Sequence, residues 1–230
     1  MLPEKDDYID IHVHGGHPKK NIFIVECLMA HENRLPENIP GSAYTYGIHP
    51  WFLNEVNHKQ QIKSVAEIIG QPGIIALGEA GFDRLQGPSL ELQRKTFEQQ
   101  VLIAEEIKKP LIIHCVRAWD EILGAFKKMN PRMNWMIHGF RGNLQLAQQL
   151  LSKGMYISIW FNYAIRPESA ILFRNLPGNR IFLETDGADI DIRDIYKKVS
   201  DDRGISVIDL KSEIISNFNN FFNLKEASVL

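Results

Sequence analysis

Six side chains with the chemistry of metal ligands close short apolar runs in this chain. IDIHVH ends on His12 and His14, IIALGE on Glu79, LIIH on His114, WMIH on His138 and IFLETD on Asp186. Each follows residues that belong in a core, where an imidazole or carboxylate without hydrogen bonds or a cation is costly. His12 and His14 are two apart, so on a strand both face one way while Ile11 and Val13 face the other. Asp10 shares the histidines' parity and is placed to orient one of them, and Glu184 shares that of Asp186 as its support. Singly, each residue has a plainer explanation. His114 could bond a backbone carbonyl, Glu79 could pair with Arg84, and Asp186 could cap a helix starting near Asp189. Taken together, six nitrogen and oxygen donors exceed one tetrahedral zinc site. They suit two divalent ions about 3.5–4 Å apart. Zinc, manganese, iron and, less well, magnesium accept imidazole with carboxylate, so the identity of the ions stays open.

The elements that must carry these residues are legible as β-rich runs. They begin near Tyr8, Ile22, Tyr44, Ile74, Leu111, Trp135, Met155 and Ile181. The runs are continuously apolar rather than alternating, as in parallel strands covered by helices on both sides. Helices are expected over residues 58–69 and 89–109. In the second of these Phe97, Val101, Ala104 and Ile107 share a face, and Pro110 ends it. Eight such runs in a chain of 230 residues predict an α/β fold, a TIM-type (β/α)8 barrel, as a single domain over 1–230. The first connection is too short for a parallel crossover. Either Ile22–Cys27 is an antiparallel hairpin strand, or the barrel is distorted at its first βα unit and lacks that helix. The distorted barrel is favoured, with seven parallel strands as one form of it. Residues 205–222 place Leu210, Ile214, Phe218 and Phe221 on one stripe, an amphipathic helix that closes the barrel or docks on a partner.

Composition narrows the function. Lys+Arg 26 against Asp+Glu 28 gives a net charge of −2, which offers no global basic field for non-specific nucleic-acid binding. Cys27 and Cys115, each in or at the end of an apolar run, do not make a disulfide framework and suit a reduced compartment. MLPEKDDYID has no signal-peptide character, and no apolar run reaches the roughly 18–20 residues of a membrane span. A cytoplasmic protein is expected. His17, His31 and His58 are read as solvated, and Cys115 as core.

The motifs DIHVH (10–14), GIHPW (47–51), GEAGFD (78–83), LIIHCVRAWDE (111–121), HGFRGN (138–143) and ETD (184–186) occur in one order. In them the chain resembles the TatD-type metal-dependent hydrolases of the amidohydrolase-like superfamily. The resemblance implies a dinuclear site. In it His12, His14 and Asp186 hold one ion, His114 and His138 the other, and Glu79 bridges them. It also implies hydrolysis of phosphodiester bonds in DNA and sometimes RNA. HGFRGN and ETDGAD differ from the commoner HCFSG and ETDSP forms at the pocket mouth, where substrate choice is set.

On that reading the ions would supply an acidified water as the nucleophile at phosphorus, and Asp186 would accept its proton. His49 either reaches the pocket to contact phosphate or is a turn residue fixed by Pro50. Arg117 and Arg141 are candidates for phosphate binding, and Trp51, Trp119 and Trp160 for base stacking or barrel packing. Two other classes remain open. One is a small phosphoester, lactone, amide or aminoacyl-ester hydrolase on the same site. The other is a non-catalytic metal-binding interaction protein.

Overall fold

The computed structural model describes residues 2–224. Eight parallel strands follow one another in chain order in a single sheet, giving the α/β fold of the TIM (β/α)8 type. They are β1 (Tyr8–Val13), β2 (Ile22–Met29), β3 (Ser42–Gly47), β4 (Ile74–Asp83), β5 (Leu111–Val116), β6 (Trp135–Phe140), β7 (Tyr156–Ile159) and β8 (Ile181–Leu183). The chain forms two compact units. One holds the residues up to Glu26, Ile39–Ser42 and those from His138 onward; the other holds Cys27–Asn38 and Ala43–Ile137.

In the first unit, β2 pairs parallel to β1, Tyr8 opposite Ile22 and Ile9 opposite Phe23. The hairpin alternative is therefore excluded, and the count of parallel strands is eight rather than seven. The segment between β1 and β2 carries no helix. Asn21, at a left-handed φ of 59°, turns the chain straight back, and its carbonyl accepts from the Tyr8 amide. β8 lies beside β1 without a full ladder. The contact is carried by the Asp186 amide on the His12 carbonyl (3.1 Å) and by Asp10, which accepts from the Thr185 amide (2.9 Å) and hydroxyl (2.6 Å). Asp10 was expected to orient a histidine ring; its carboxylate instead fastens this seam. Burial pushes its pKa up to about 7 against the pull of the two Thr185 hydrogen bonds. Asp10→Ala would leave two buried donors without their acceptor, and a loss of about 1–3 kcal/mol in urea unfolding is expected.

The same unit contains α4 (Leu144–Ser152), the short α5 (Phe161–Ala164) and α6 (Ser169–Asn175), α7 (Ile192–Arg203) and α8 (Val207–Phe221). Asp191, not Asp186, caps α7, accepting from the Arg193 amide. α8 starts at Ser206, whose hydroxyl accepts from the Asp209 amide at 3.0 Å. Its stripe of Leu210, Ile214, Phe218 and Phe221 is buried, with Phe218 edge-on to Phe23. At about 1.5–3 kcal/mol for each large apolar side chain, this face anchors the helix on the strands. The closing alternative of the sequence reading is the one seen.

In the second unit, α1 (His58–Ile68), α2 (Leu90–Ile107) and α3 (Trp119–Met129) cover β3 to β6. Between β2 and β3 stands only a 3-10 turn, Ala30–Glu32, so a second crossover helix is missing as well. The Ser89 hydroxyl caps α2. Phe97, Val101 and Ala104 face inward, with Phe97 against Phe82 and Trp135, while Ile107 is half-buried. His58 is buried rather than solvated, its Nδ1 3.0 Å from the Glu55 carbonyl.

Candidate metal centre

In the first unit, β1 delivers His12 and His14 to the same side, as their spacing requires, with the two Nε2 atoms 3.2 Å apart. Asp186, just past β8, sits at a left-handed φ of 54°, a conformation that costs a non-glycine residue energy and that clusters at functional sites. Its Oδ1 lies 3.8 Å from His12 Nε2 and 3.6 Å from His14 Nε2. The His138 ring, from β6, packs against that of His12 with centroids 4.1 Å apart. Ligand atoms of His12, His138 and Asp186 all fall within 4.8 Å of one another. The resemblance groups His138 with His114; here its ligand atom gathers with those of His12 and Asp186.

Glu184 lies behind this group, fully buried. Its Oε1 accepts from the Gly139 amide at 2.7 Å and lies 3.6 Å from His138 Nδ1. Burial alone would raise its pKa, but the neighbouring His138 and His12 imidazoles and the Ser158 hydroxyl hold it below the usual carboxylate range. It therefore stays anionic and turns the other nitrogen of His138 outward. A cavity of 180 Å3 opens beside His14, lined also by Asp10, His17, Lys19, Gly187 and Asp191. The helix-free 15–21 segment forms part of its wall.

In the second unit, β4 and β5 bring together Glu79 and His114, both buried, with His114 Nδ1 2.7 Å from Glu79 Oε1. His49 joins them, its Nε2 3.2 Å from Glu79 Oε1 and 3.3 Å from His114 Nδ1. The Trp51 amide donates to His49 Nδ1 at 3.1 Å. A neutral His49 therefore carries its proton on Nε2 and donates toward Glu79, which makes it a better hydrogen-bond donor than ligand. Its turn role and its reach into the group coexist.

Gly81 makes the approach of β4 to β5 possible. It pairs with His114 at φ 152°, and a Cβ there would overlap the His114 carbonyl oxygen. Gly81→Ala should push β5 away and weaken divalent-metal binding at least tenfold in a titration, alongside a drop in thermal midpoint.

Most of the donor distances match those between two ligands of one cation. Two donors each 2.0–2.2 Å from one ion stand about 2.8–3.6 Å apart at octahedral or tetrahedral angles. The donor spacings are 3.2–3.8 Å in the first unit and 2.7–3.3 Å in the second. The carboxylate–imidazole pairs of the first unit are too long for hydrogen bonds. All the donors named are nitrogen or oxygen. Cys115 is a half-buried thiol pushed up to about 12 by burial, and burial raises Cys27 further, so neither behaves as a ready thiolate.

The arginines face solvent or pair elsewhere. Arg117 is exposed just beyond β5 at φ 52°, and Arg84 pairs with Asp120 and Glu121 rather than Glu79. Arg141 is exposed and lies over the Trp160 ring at 4.7 Å. Trp51 and Phe52 remain 44% and 38% exposed, with His31 stacked on Phe52 at 3.8 Å. They form an aromatic rim beside His49.

Sequence reasoning passed over Asp83. Buried at the end of β4, it accepts from Trp51 Nε1 at 2.6 Å and meets His114 Nε2 at 3.1 Å. Burial would raise its pKa, yet these bonds and the amides of Leu85 and Gln86 hold it below the usual range. The signal was available, since Glu79 and Asp83 are four apart on one strand and share a face.

Comparison with known proteins agrees with this architecture. The TatD related DNase family matches residues 28–223. The human 3′-5′ RNA nuclease TATDN2 is 31% identical over 172 residues, 71% of this chain but 22% of that protein. The 3′-5′ ssDNA/RNA exonuclease TatD of Edwardsiella piscicida is 30% identical over 160 residues, 67% of this chain and 61% of that protein. The crystal structure of YJJV, a TatD homologue from Escherichia coli K12, superposes with a TM-score of 0.80 at 21% identity, covering 96% of this chain and all of that one. A family match over residues 28–223, most of the chain, means that this chain belongs to the TatD related DNase family.

Proposed function

We propose that the protein is a metal-dependent phosphodiesterase that removes nucleotides from single-stranded DNA or RNA, using two divalent ions drawn from zinc, manganese, iron or magnesium. The observation that carries this reading is the gathering of nitrogen and oxygen donors from separate strand ends within 4.8 Å of one another, His12 with His138 and Asp186, and Glu79 with His114 and His49. His12, His14, His138 and Asp186 would hold one ion, and His114 with Glu79 the other. The resemblance further implies that Glu79 is shared. Divalent ions there supply an acidified water and positive charge against the phosphate oxygens in the transition state.

The chain's own residues supply the rest. Asp186 is the better proton acceptor, because its carboxylate keeps 28% exposure while Glu184 is sealed and committed to Gly139. His49 donates from Nε2 toward Glu79 and would offer the same N–H as a hydrogen bond to a phosphate oxygen. Arg117 and Arg141 would bind backbone phosphates, and the exposed Trp51 would stack a base. The strand-directed reading also draws on the printed activities of the relatives, both nucleases acting from a 3′ end. Two free cysteines suit a reducing cytoplasm. Among the described residues, no helix is long and apolar enough to cross a membrane.

A second reading, hydrolysis of a small phosphoester, rests on the cavity beside His14, whose 180 Å3 suits a compact group. One experiment separates the two. The chain is stripped of metal, reloaded singly with zinc, manganese or magnesium, and given 5′-labelled single-stranded DNA, RNA, a phosphomonoester and an amide. Stepwise shortening of the labelled strands supports the proposal. Turnover confined to the small ester or the amide overturns it.

A further inference from the structure

We infer that Asp83 is a positioning residue. Its carboxylate holds the proton of His114 on Nε2, so that His114 presents Nδ1, not Nε2, to a metal ion. This rests on the reading above that His114 is a metal ligand. The two oxygens of Asp83 divide their work. Oδ1 accepts the amides of Leu85 (2.7 Å) and Gln86 (3.0 Å), fixing the turn that leaves β4. Oδ2 accepts the Trp51 indole N–H at 2.6 Å and faces His114 Nε2 at 3.1 Å. An oxygen already accepting one N–H in a buried pocket offers His114 only an acceptor, so Nε2 must be the protonated nitrogen.

The backbone of Asp83 is equally constrained. Buried Gln93 of α2 accepts from its amide (2.8 Å) and donates to its carbonyl (2.9 Å). The carboxylate thus reaches His114 from a fixed base rather than a mobile loop. With Nε2 protonated, Nδ1 is left as a lone pair 2.7 Å from Glu79 Oε1. Two electron-rich atoms at that distance need a proton or a cation between them, and a bound metal ion would supply the latter. Trp51 serves the same arrangement from the rim. Its indole N–H commits Oδ2 as an acceptor, and its ring sits edge-on to His114 at 5.8 Å.

The test uses the full-length chain and zinc as the probe. In the zinc-loaded wild type, ring-15N spectra should show His114 bound through Nδ1, with a slowly exchanging proton on Nε2. Asp83→Asn keeps the volume and one oxygen but removes the charge, and it offers an N–H where His114 needs an acceptor. Zinc affinity measured by calorimetry should fall about 10- to 100-fold, the usual cost of losing a ligand's orienting partner. The slowly exchanging Nε2 proton should disappear.

The proposal is overturned if wild-type His114 binds zinc through Nε2. It is equally overturned if the Asn variant binds zinc within about threefold of wild type with the same ring-nitrogen assignments. The wild-type spectrum decides even where the variant does not fold. A wild-type chain that takes up no zinc would instead overturn the metal-centre reading itself, and this inference with it.

Discussion

Replacing Glu79 by glutamine should lower kcat on labelled single-stranded DNA by about 10³-fold or more, with far-UV circular dichroism unchanged. The factor corresponds to about 4 kcal/mol of lost transition-state stabilisation. Glu79 is 2% exposed on β4, and its Oε1 is held between His114 Nδ1 at 2.7 Å and His49 Nε2 at 3.2 Å. Glutamine preserves that volume, so the core of β4 and β5 is retained. What it removes is the negative charge through which the position would hold a cation. Rates at saturating manganese, together with bound metal measured after gel filtration, check the prediction. Full activity with unchanged metal content would mean that Glu79 is structural. His12→Ala should give the same pair of losses from the other unit, because its ring lies against His138 and within reach of His14 and Asp186.

Chelation is the second large effect. Removing divalent metal should abolish turnover and lower the thermal midpoint by about 5–10 °C, both restored on reloading. A ligand at 100 times its Kd stabilises the folded state by about 2.7 kcal/mol. Each kcal/mol moves the midpoint by roughly 2–4 °C for a chain of this size. The stabilisation has a local origin. Within the first unit the donors of His12, His14 and Asp186 lie 3.2–3.8 Å apart, and within the second His114 Nδ1 lies 2.7 Å from Glu79 Oε1. Differential scanning fluorimetry with and without chelator reads the shift. A midpoint indifferent to metal would remove the thermodynamic basis of the site.

Much of this was legible before any coordinates, for physical reasons that can be named. Strands buried on both faces must be apolar, so a polar residue at the end of such a run stands out. That is how His114 and His138 were found. Period-two geometry then required His12 and His14 to meet, and their Nε2 atoms do. Helix α8 was readable because four large apolar residues at helical spacing have one way to be buried.

The rest was hidden by partners and turns that residue type alone does not reveal. Asp10 has the histidines' parity, yet its acceptors are filled by Thr185, 175 residues away. His58 has the sequence surroundings of a surface helix but turns its Nδ1 onto the Glu55 carbonyl. The parallel pairing of β2 depended on a tight turn at Asn21, which propensity alone does not reveal. Asp83 closes a motif whose glutamate had already explained why an acid is there.

The most direct test is anomalous diffraction from a crystal soaked in manganese. The account predicts a peak within about 2.0–2.3 Å of nitrogen or oxygen donors from His12, His14 and Asp186, and another on His114 Nδ1 and Glu79. Strong peaks elsewhere on the surface, with none on these five side chains, would contradict it.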